Sequence, residues 1–154
     1  MEPAFYHTSA ADIPQGEKEG ITYRVMMGEA YGLTSPVKTF SPILYVEIDM
    51  VEGTEMELPQ AEERGVYVVK GEAEIDGEDS LLFSMSILSP DAKMIRAKTD
   101  TRLAIIGGSP LGKRFMEWNF VSSRPERIKQ AVEDWREGRF DKVPGDDDEF
   151  IPYT

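Results

Sequence analysis

Side chains that could carry out catalysis or bind a metal are scarce in this sequence. The chain has one histidine, His7, and no cysteine. A site that needs two imidazoles or a thiolate from the same chain is therefore excluded. Ser41 and Ser109 have no histidine close to them in the sequence, and a catalytic triad would have to recruit His7. Because a lone histidine in a polar segment is usually a surface residue, we predict no catalytic residue.

Two other patterns could bind ligands. Residues 107–110, GGSP, are rich in glycine but lack the lysine and the helix start of a phosphate-binding loop, and so they favour a turn. Residues 146–149, DDDE, could bind a cation, but a run of charges near a terminus is usually a solvated tail. Neither pattern predicts a cofactor.

The overall charge restricts the classes of partner. The 154 residues carry a formal net charge of −12, which repels phosphate backbones and argues against direct binding of nucleic acid. We expect no signal peptide, and no apolar run in the sequence is long enough to cross a bilayer. We therefore expect a cytoplasmic protein that binds neither nucleic acid nor membrane.

Most of the chain has the pattern of short strands. In residues 43–50 apolar side chains alternate with polar ones, which is typical of a half-buried strand. Residues 66–69 form a β-branched and aromatic run, and Asp76-Gly77 predicts a hairpin, with residues 81–88 as its return strand. Strands that follow one another without helices between them indicate an antiparallel sandwich or barrel.

The last part of the chain predicts a helix. Ser123 and Glu126 have capping-box spacing, Pro125 suits the first turn, and Gly138 is a natural stop. Apolar residues recur between them with helical period: Ile128, Ala131, Val132 and Trp135. We divide the chain into an N-terminal arm (1–20), a barrel (21–120), and a helix with an acidic tail (121–154).

Several segments together resemble the pirin family. They are MEPAFYHTSAADIP, GEAYGLTSPVKTFSP, VYVVKGEAEIDG, GGSPLGKRF and WNFVSSRPERIKQAVEDWREGRFDKVPGDDDEFIP. The resemblance is to the C-terminal half of pirin-like proteins, which are usually two cupin barrels in tandem, and residues 1–14 resemble the linker between those barrels. It implies an all-β cupin double-stranded β-helix, a jelly-roll barrel, with one C-terminal α-helix and an extended tail.

The resemblance also implies a metal site, from which this sequence departs. In pirins an iron-type metal is held in the N-terminal barrel by a His-x-His pair, a glutamate and a further histidine, and we expect that barrel to be absent. In the remaining barrel the corresponding positions fall on Glu57, Pro59 and Glu63, and residues 93–95 offer no histidine. Two carboxylates without an imidazole could hold magnesium or calcium weakly. We expect solvated rim charges, a lost metal site and no cofactor.

Strand parity suggests which side chains could line a pocket. Glu63, Tyr67 and Val69 share one face of their strand, and the family's metal-binding glutamate marks that face as inward. Tyr67 could present its hydroxyl to a small ligand, or it could fill the barrel as part of the core.

Three functions remain open. We favour a metal-free interaction module without catalysis, which would be a homodimer because a solitary barrel leaves apolar surface uncovered. Residues 1–20, with Phe115, Trp118 and Phe120, would lie near that contact. The alternative is a pirin-like quercetin 2,3-dioxygenase activity with a metal site supplied by another chain or by carboxylates. In the third, the chain is one half of a split or truncated pirin, and a separately encoded metal-binding cupin is its partner. Another protein partner also remains open.

Overall fold

The computed structural model describes residues 5–142, 144–145 and 148–154. It divides into two compact units, Met1–Pro110 and Leu111–Thr154. The strands of the first unit are β1 (Gln15–Lys18), β2 (Ile21–Met27), β3 (Glu29–Ala30), β4 (Leu33–Thr34), β5 (Ile43–Met50), β6 (Glu55–Glu57), β7 (Glu63–Lys70), β8 (Ala73–Ile75), β9 (Glu78–Ser80), β10 (Met85–Ile87), β11 (Met94–Ala97) and β12 (Thr101–Gly108). The second unit contains β13 (Phe115–Glu117), β14 (Phe120–Ser122) and α1 (Pro125–Arg136).

Two sheets enclose the core of the first unit. One has six strands in the order β1-β2-β5-β12-β7-β10, and the other has four in the order β6-β11-β8-β9. Neighbouring strands are antiparallel in both sheets, as the sequence predicts. β1 pairs with β2, so residues 15–18 of the expected arm belong to the larger sheet. The boundaries at residues 20 and 120 stay predictions.

The period-two alternation of β5 determines which of its side chains are buried. Leu44, Val46, Ile48 and Met50 are all at most 3% exposed and belong to one hydrophobic cluster. Burial of each such side chain contributes roughly 1.5–3 kcal/mol. Since the alternate residues face away from the core, the prediction of a half-buried strand is confirmed.

The inward face of β7 is the reverse of the predicted one. Val66 and Val68 are fully buried, whereas Glu63 and Val69 are exposed. Val66 pairs with Ile105 of β12 and Val68 with Leu103, so these side chains meet in the core. The run 66–69 is apolar at every position, so its sequence could not distinguish the two faces.

The hairpin prediction is correct in its turn and wrong in its return strand. Ile75 pairs with Glu78 across Asp76-Gly77, and both turn residues have positive φ, as a type I′ turn requires. The return strand is β9, not residues 81–88. From that segment only β10 forms a strand, and it pairs with β7.

Residues 107–108 form the end of β12 and not a turn. A Cβ at Gly107 would lie 2.6 Å from the Glu63 carbonyl oxygen, and one at Gly108 would lie 2.5 Å from that of Pro42. Neighbouring backbone approaches too closely at both positions for any side chain.

The helix α1 occupies the predicted position in the second unit. Ile128 and Val132 are buried, and the chain leaves the helix at Gly138 with φ 66°. The predicted capping box is wrong, because Arg124 is the N-cap and no side chain caps the helix. The Oγ of Ser122 instead accepts the Arg124 backbone N–H at 3.1 Å. Among the described residues, no helix has the length and apolar character needed to cross a membrane.

Candidate functional site

The three positions that correspond to metal ligands lie between the end of β6 and the start of β7. Glu57, at the end of β6, and Glu63, at the start of β7, are exposed, and Pro59 is buried. His7 is exposed in the N-terminal segment. In the part of the chain that the structure describes, no three His, Cys, Asp or Glu side chains are grouped to hold a metal ion. A mononuclear iron site of the kind that the resemblance implies needs imidazoles, which Glu57, Pro59 and Glu63 do not supply.

The buried guanidinium of Arg64 lies beside Pro59, one of these three positions. Arg64 is 5% exposed, and its guanidinium donates to four backbone carbonyls: Pro59 at 3.2 Å, Ser89 at 3.4 Å, Pro90 at 2.9 Å and Ala92 at 2.9 Å. It thereby joins the loop before β7 to the loop between β10 and β11. A permanent positive charge bonded to the Pro59 carbonyl opposes binding of a metal cation there. The sequence analysis missed Arg64 because it assigned β7 the opposite parity.

Tyr31 holds the backbone in place at Glu57, another of the three metal-ligand positions. Its hydroxyl donates to the Glu57 carbonyl oxygen at 2.9 Å, and its ring lies 4.8 Å from that of Tyr23. Burial, with smaller contributions from Tyr23 and Glu57, raises the pKa of Tyr31 far above its ordinary range. Tyr31 therefore stays neutral at physiological pH and acts as a structural hydrogen-bond donor.

The side of the six-stranded sheet that faces away from the core is the principal exposed feature of the first unit. We call it the outer sheet face; it consists of the residues of β2, β5, β12, β7 and β10 whose side chains lie on the side opposite the buried Val46, Ile105 and Val66, which pair with one another. Its apolar half lies on β12, β7 and β10, where Ile106 is 43%, Val69 41%, Met85 42% and Ile87 81% exposed. Single exposed apolar residues are ordinary, but a contiguous patch indicates a binding surface.

The other half of this face carries balanced charges. Arg24 and Arg102 approach Glu47 at 3.9 and 3.6 Å, and Arg102 also approaches Asp49 at 3.9 Å. The Tyr45 hydroxyl donates to Glu47 at 2.9 Å. Partial burial, followed by that hydrogen bond, raises the pKa of Tyr45. A groove of about 370 Å³ runs along this charged half of the face. It is lined by Gln15, Gly16, Glu17, Thr22, Tyr23, Arg24, Glu47, Asp49 and Arg102.

The predicted pocket residues lie on the outer sheet face. The parity of β7 places Glu63, Tyr67 and Val69 opposite the buried Val66 and Val68. They therefore do not line the interior between the sheets. Their place on an exposed face differs from the concave setting in which small ligands usually bind.

The aromatic residues expected near a dimer contact pack within the second unit. Trp118 contacts Phe120 and Trp135, with ring centroids 5.6 and 5.1 Å apart, and Phe120 stacks on Phe140 at 5.8 Å. Phe115 lies in β13 and is half-buried. Of the acidic run 146–149, Asp146 and Asp147 lie outside the described residues, while Asp148 and Glu149 are exposed.

Comparisons with known proteins agree with the fold. Residues 45–141 match the Pirin C-terminal cupin domain family. A pirin-like protein of Caulobacter vibrioides is 37% identical over 99% of this chain and 54% of its own length. Human pirin is 27% identical over 90% of this chain and 51% of its own length.

A crystal structure of quercetin 2,3-dioxygenase from Acinetobacter baumannii superposes with a TM-score of 0.81 at 27% identity, over 93% of this chain and 50% of that one. The chain spans about half the length of the curated relatives it matches. With its two-sheet core and single C-terminal helix, the chain has a cupin fold and belongs to the pirin family, whose C-terminal cupin domain it matches.

Proposed function

We propose that this chain is a pirin-type cupin that works as a binding module without catalysis of its own. The observation that carries the proposal is the outer sheet face, where apolar side chains from three adjacent strands are exposed together. Patches of this kind mark protein interaction sites. A balanced set of charges beside the patch provides a polar border, as is common at protein interfaces.

The residues at and around the metal-ligand positions support the same proposal. Arg64 supplies a permanent cation near the metal-ligand positions, and Glu57 and Glu63 are solvated carboxylates. A redox-active metal in such proteins is bound chiefly by neutral imidazoles, and the only histidine of this chain is the exposed His7. These groups provide no acid–base pair or nucleophile that the geometry brings together.

Metal content and quercetin turnover test the absence of catalysis. Purified protein is analysed for iron, manganese, nickel and copper, and is then assayed for oxygen-dependent quercetin cleavage with each metal added. We expect far less than one metal per chain and no turnover above the free metal. Metal near one per chain together with quercetin cleavage would overturn the proposal.

A second candidate is a quercetin 2,3-dioxygenase-like activity with a metal site supplied by another chain. It is favoured by the similarity to the Acinetobacter baumannii enzyme, half of whose chain this one covers. The test is reconstitution with a separately produced cupin barrel that carries a His-x-His-x-x-x-Glu motif. Cleavage that requires both chains would support this candidate, and activity of the second barrel that is unchanged by this chain would contradict it.

A further inference from the structure

We infer that a second copy of this chain covers the apolar half of the outer sheet face, so that the module is a homodimer joined through its six-stranded sheets. The inference rests on the proposed function, because it takes that face as the binding surface. It places the contact on the sheet and not on the hairpin that contains Trp118 and Phe120. Both of those rings already pack against others within their own unit.

The strand register makes the apolar half continuous. Ile87 of β10 pairs with Gly65 of β7, which pairs with Ile106 of β12, which pairs with Tyr45 of β5. In the next row Met85 pairs with Tyr67, and Tyr67 with Ala104. Directly paired residues have Cβ atoms about 5 Å apart, so these side chains form one surface across four strands.

The packing at Gly65 fills the gap between Ile87 and Ile106, which pair with this glycine from either side. A Cβ at Gly65 would lie 2.9 Å from the Met85 sulfur. The thioether therefore lies over the glycine, and Met85 stays 42% exposed on the outside. A flexible methionine side chain lets this surface adapt to an opposing sheet.

The edge of the sheet extends the patch. Leu82 bridges Val68, and the Phe83 backbone N–H donates to the Val68 carbonyl at 2.9 Å, so this segment runs beside β7. As the bridge partner of the core-facing Val68, Leu82 lies on the side opposite the outer sheet face, whereas Phe83 is 67% exposed at the edge. An exposed apolar edge promotes aggregation unless something covers it. The edge therefore needs a partner, as the face does.

The apolar area is sufficient for the core of a stable interface. Large apolar residues present roughly 200 Å² each when fully exposed, so the five exposed ones on this face and edge offer on the order of 500 Å². The five are Val69, Phe83, Met85, Ile87 and Ile106. A standard interface buries about 800 Å² from each partner, with a polar rim around an apolar centre. The charged half of the face supplies that rim.

Charge favours a second copy over a basic partner. The chain carries −12 overall, and a basic partner would be drawn to the acidic surface, not to an apolar patch. On the outer sheet face Arg24 and Arg102 offset Glu47 and Asp49 within one chain. Two like-charged copies repel less at a face whose charges are largely offset within each chain than elsewhere on an acidic surface. A two-fold axis in the plane of the interface can lay the apolar half of one copy on that of the other.

The experiment is a concentration series by sedimentation equilibrium and light scattering on the full chain and on single-site variants. Ile87→Glu and Ile106→Glu each place two unpaired carboxylates, one from each copy, in the contact. We expect the wild type to be a dimer at micromolar concentration and each variant to weaken dimerisation by at least roughly 100-fold. Met116→Glu changes a 75% exposed residue of the hairpin formed by β13 and β14. It is the matched control and should leave the dimer intact.

A second measurement does not depend on the variants. Hydroxyl-radical footprinting of the wild type compares oxidation of Met85 with that of Met116 over the same concentrations. Protection of Met85 alone as the dimer forms is the expected result. Circular dichroism establishes that each variant is folded, and an unfolded variant is replaced by Val69→Glu on the same face.

Two outcomes would overturn the inference. A wild type that stays monomeric to about 100 µM, far above the dissociation constants of stable dimers, excludes the second copy as the occupant. That result leaves the non-catalytic proposal standing, because metal content and quercetin turnover test it separately. Dissociation by Met116→Glu, with the face variants still dimeric, would place the contact on the hairpin.

Discussion

At the scale of single residues, Arg64 does the most to define the interior near the metal-ligand positions. It is buried, and the hydrogen bonds described for its guanidinium all go to backbone carbonyl oxygens. Besides the backbone hydrogen bonds from Lys93 and Met94, its positive charge also helps to lower the pKa of Asp76. A buried charge is tolerated when such hydrogen bonds replace those of water. The residue therefore stabilises two loops at the same end of the first unit.

Replacement of Arg64 tests this role. Arg64→Met leaves buried carbonyl oxygens without donors, and we expect the free energy of unfolding to fall by about 3 kcal/mol. Arg64→Lys should cost less but should not restore stability, because an ammonium cannot reach carbonyls in two loops as the planar fork does. Urea denaturation monitored by circular dichroism measures both.

Arg96→Met is the matched control for this series. Arg96 is exposed and pairs with Glu74 at 3.8 Å, so its loss should change the free energy of unfolding by no more than about 0.5 kcal/mol. Equal effects of Arg64→Met and Arg96→Met would show that the buried hydrogen bonds contribute little to stability.

At the scale of elements, the hairpin of β8 and β9 is anchored through its turn. The carboxylate of Asp76 accepts the backbone N–H groups of Lys93 and Met94 at 2.9 and 3.0 Å. The hydrogen bonds to Lys93 and Met94 lower the pKa of Asp76 below its ordinary value of 3.8. One side chain thereby ties the turn to the start of β11.

This anchor predicts a specific dependence on pH. Because the folded state lowers the pKa of Asp76, its contribution to stability is complete above pH 3.8 and is lost as the pH falls through the lower folded value. Asp76→Asn keeps a residue that tolerates positive φ and removes the charge. Urea midpoints between pH 2 and 6 should therefore fall more steeply with acid in the wild type than in the variant. Parallel curves would contradict this role.

At the scale of the whole molecule, the excess of acidic residues and the apolar face have opposite effects on association. The net charge of −12 opposes the approach of two copies at low salt, whereas burial of apolar side chains favours it. The ion pairs of the outer sheet face form within one chain, so they need no partner to be satisfied.

Salt dependence distinguishes a contact of this kind from one made by ion pairs between copies. We expect the dimer to tighten as sodium chloride rises from about 20 mM to about 500 mM, because screening reduces repulsion while apolar burial is retained. Sedimentation equilibrium at each salt concentration measures the dissociation constant. Weaker association at high salt would indicate that charges across the interface hold the dimer together.

The sequence by itself determined the features that depend on near neighbours. The alternation of apolar and polar residues predicted β5 and its buried face, and Asp76-Gly77 predicted the turn of the β8–β9 hairpin. The recurrence of apolar residues with helical period predicted α1. Each of these follows from backbone geometry over a few residues. The composition, with one histidine and no cysteine, likewise limited the possible metal sites without any structure.

The tertiary structure decided what depends on pairing between distant strands. The inward face of β7 is set by its register with β12, because the run 66–69 is apolar on both sides. The partners of Arg64 lie up to 28 residues away, and the outer sheet face combines side chains from strands that are not consecutive in the chain. Local patterns carry no register between distant segments, so only the packed sheets could assemble the buried cation and the apolar face.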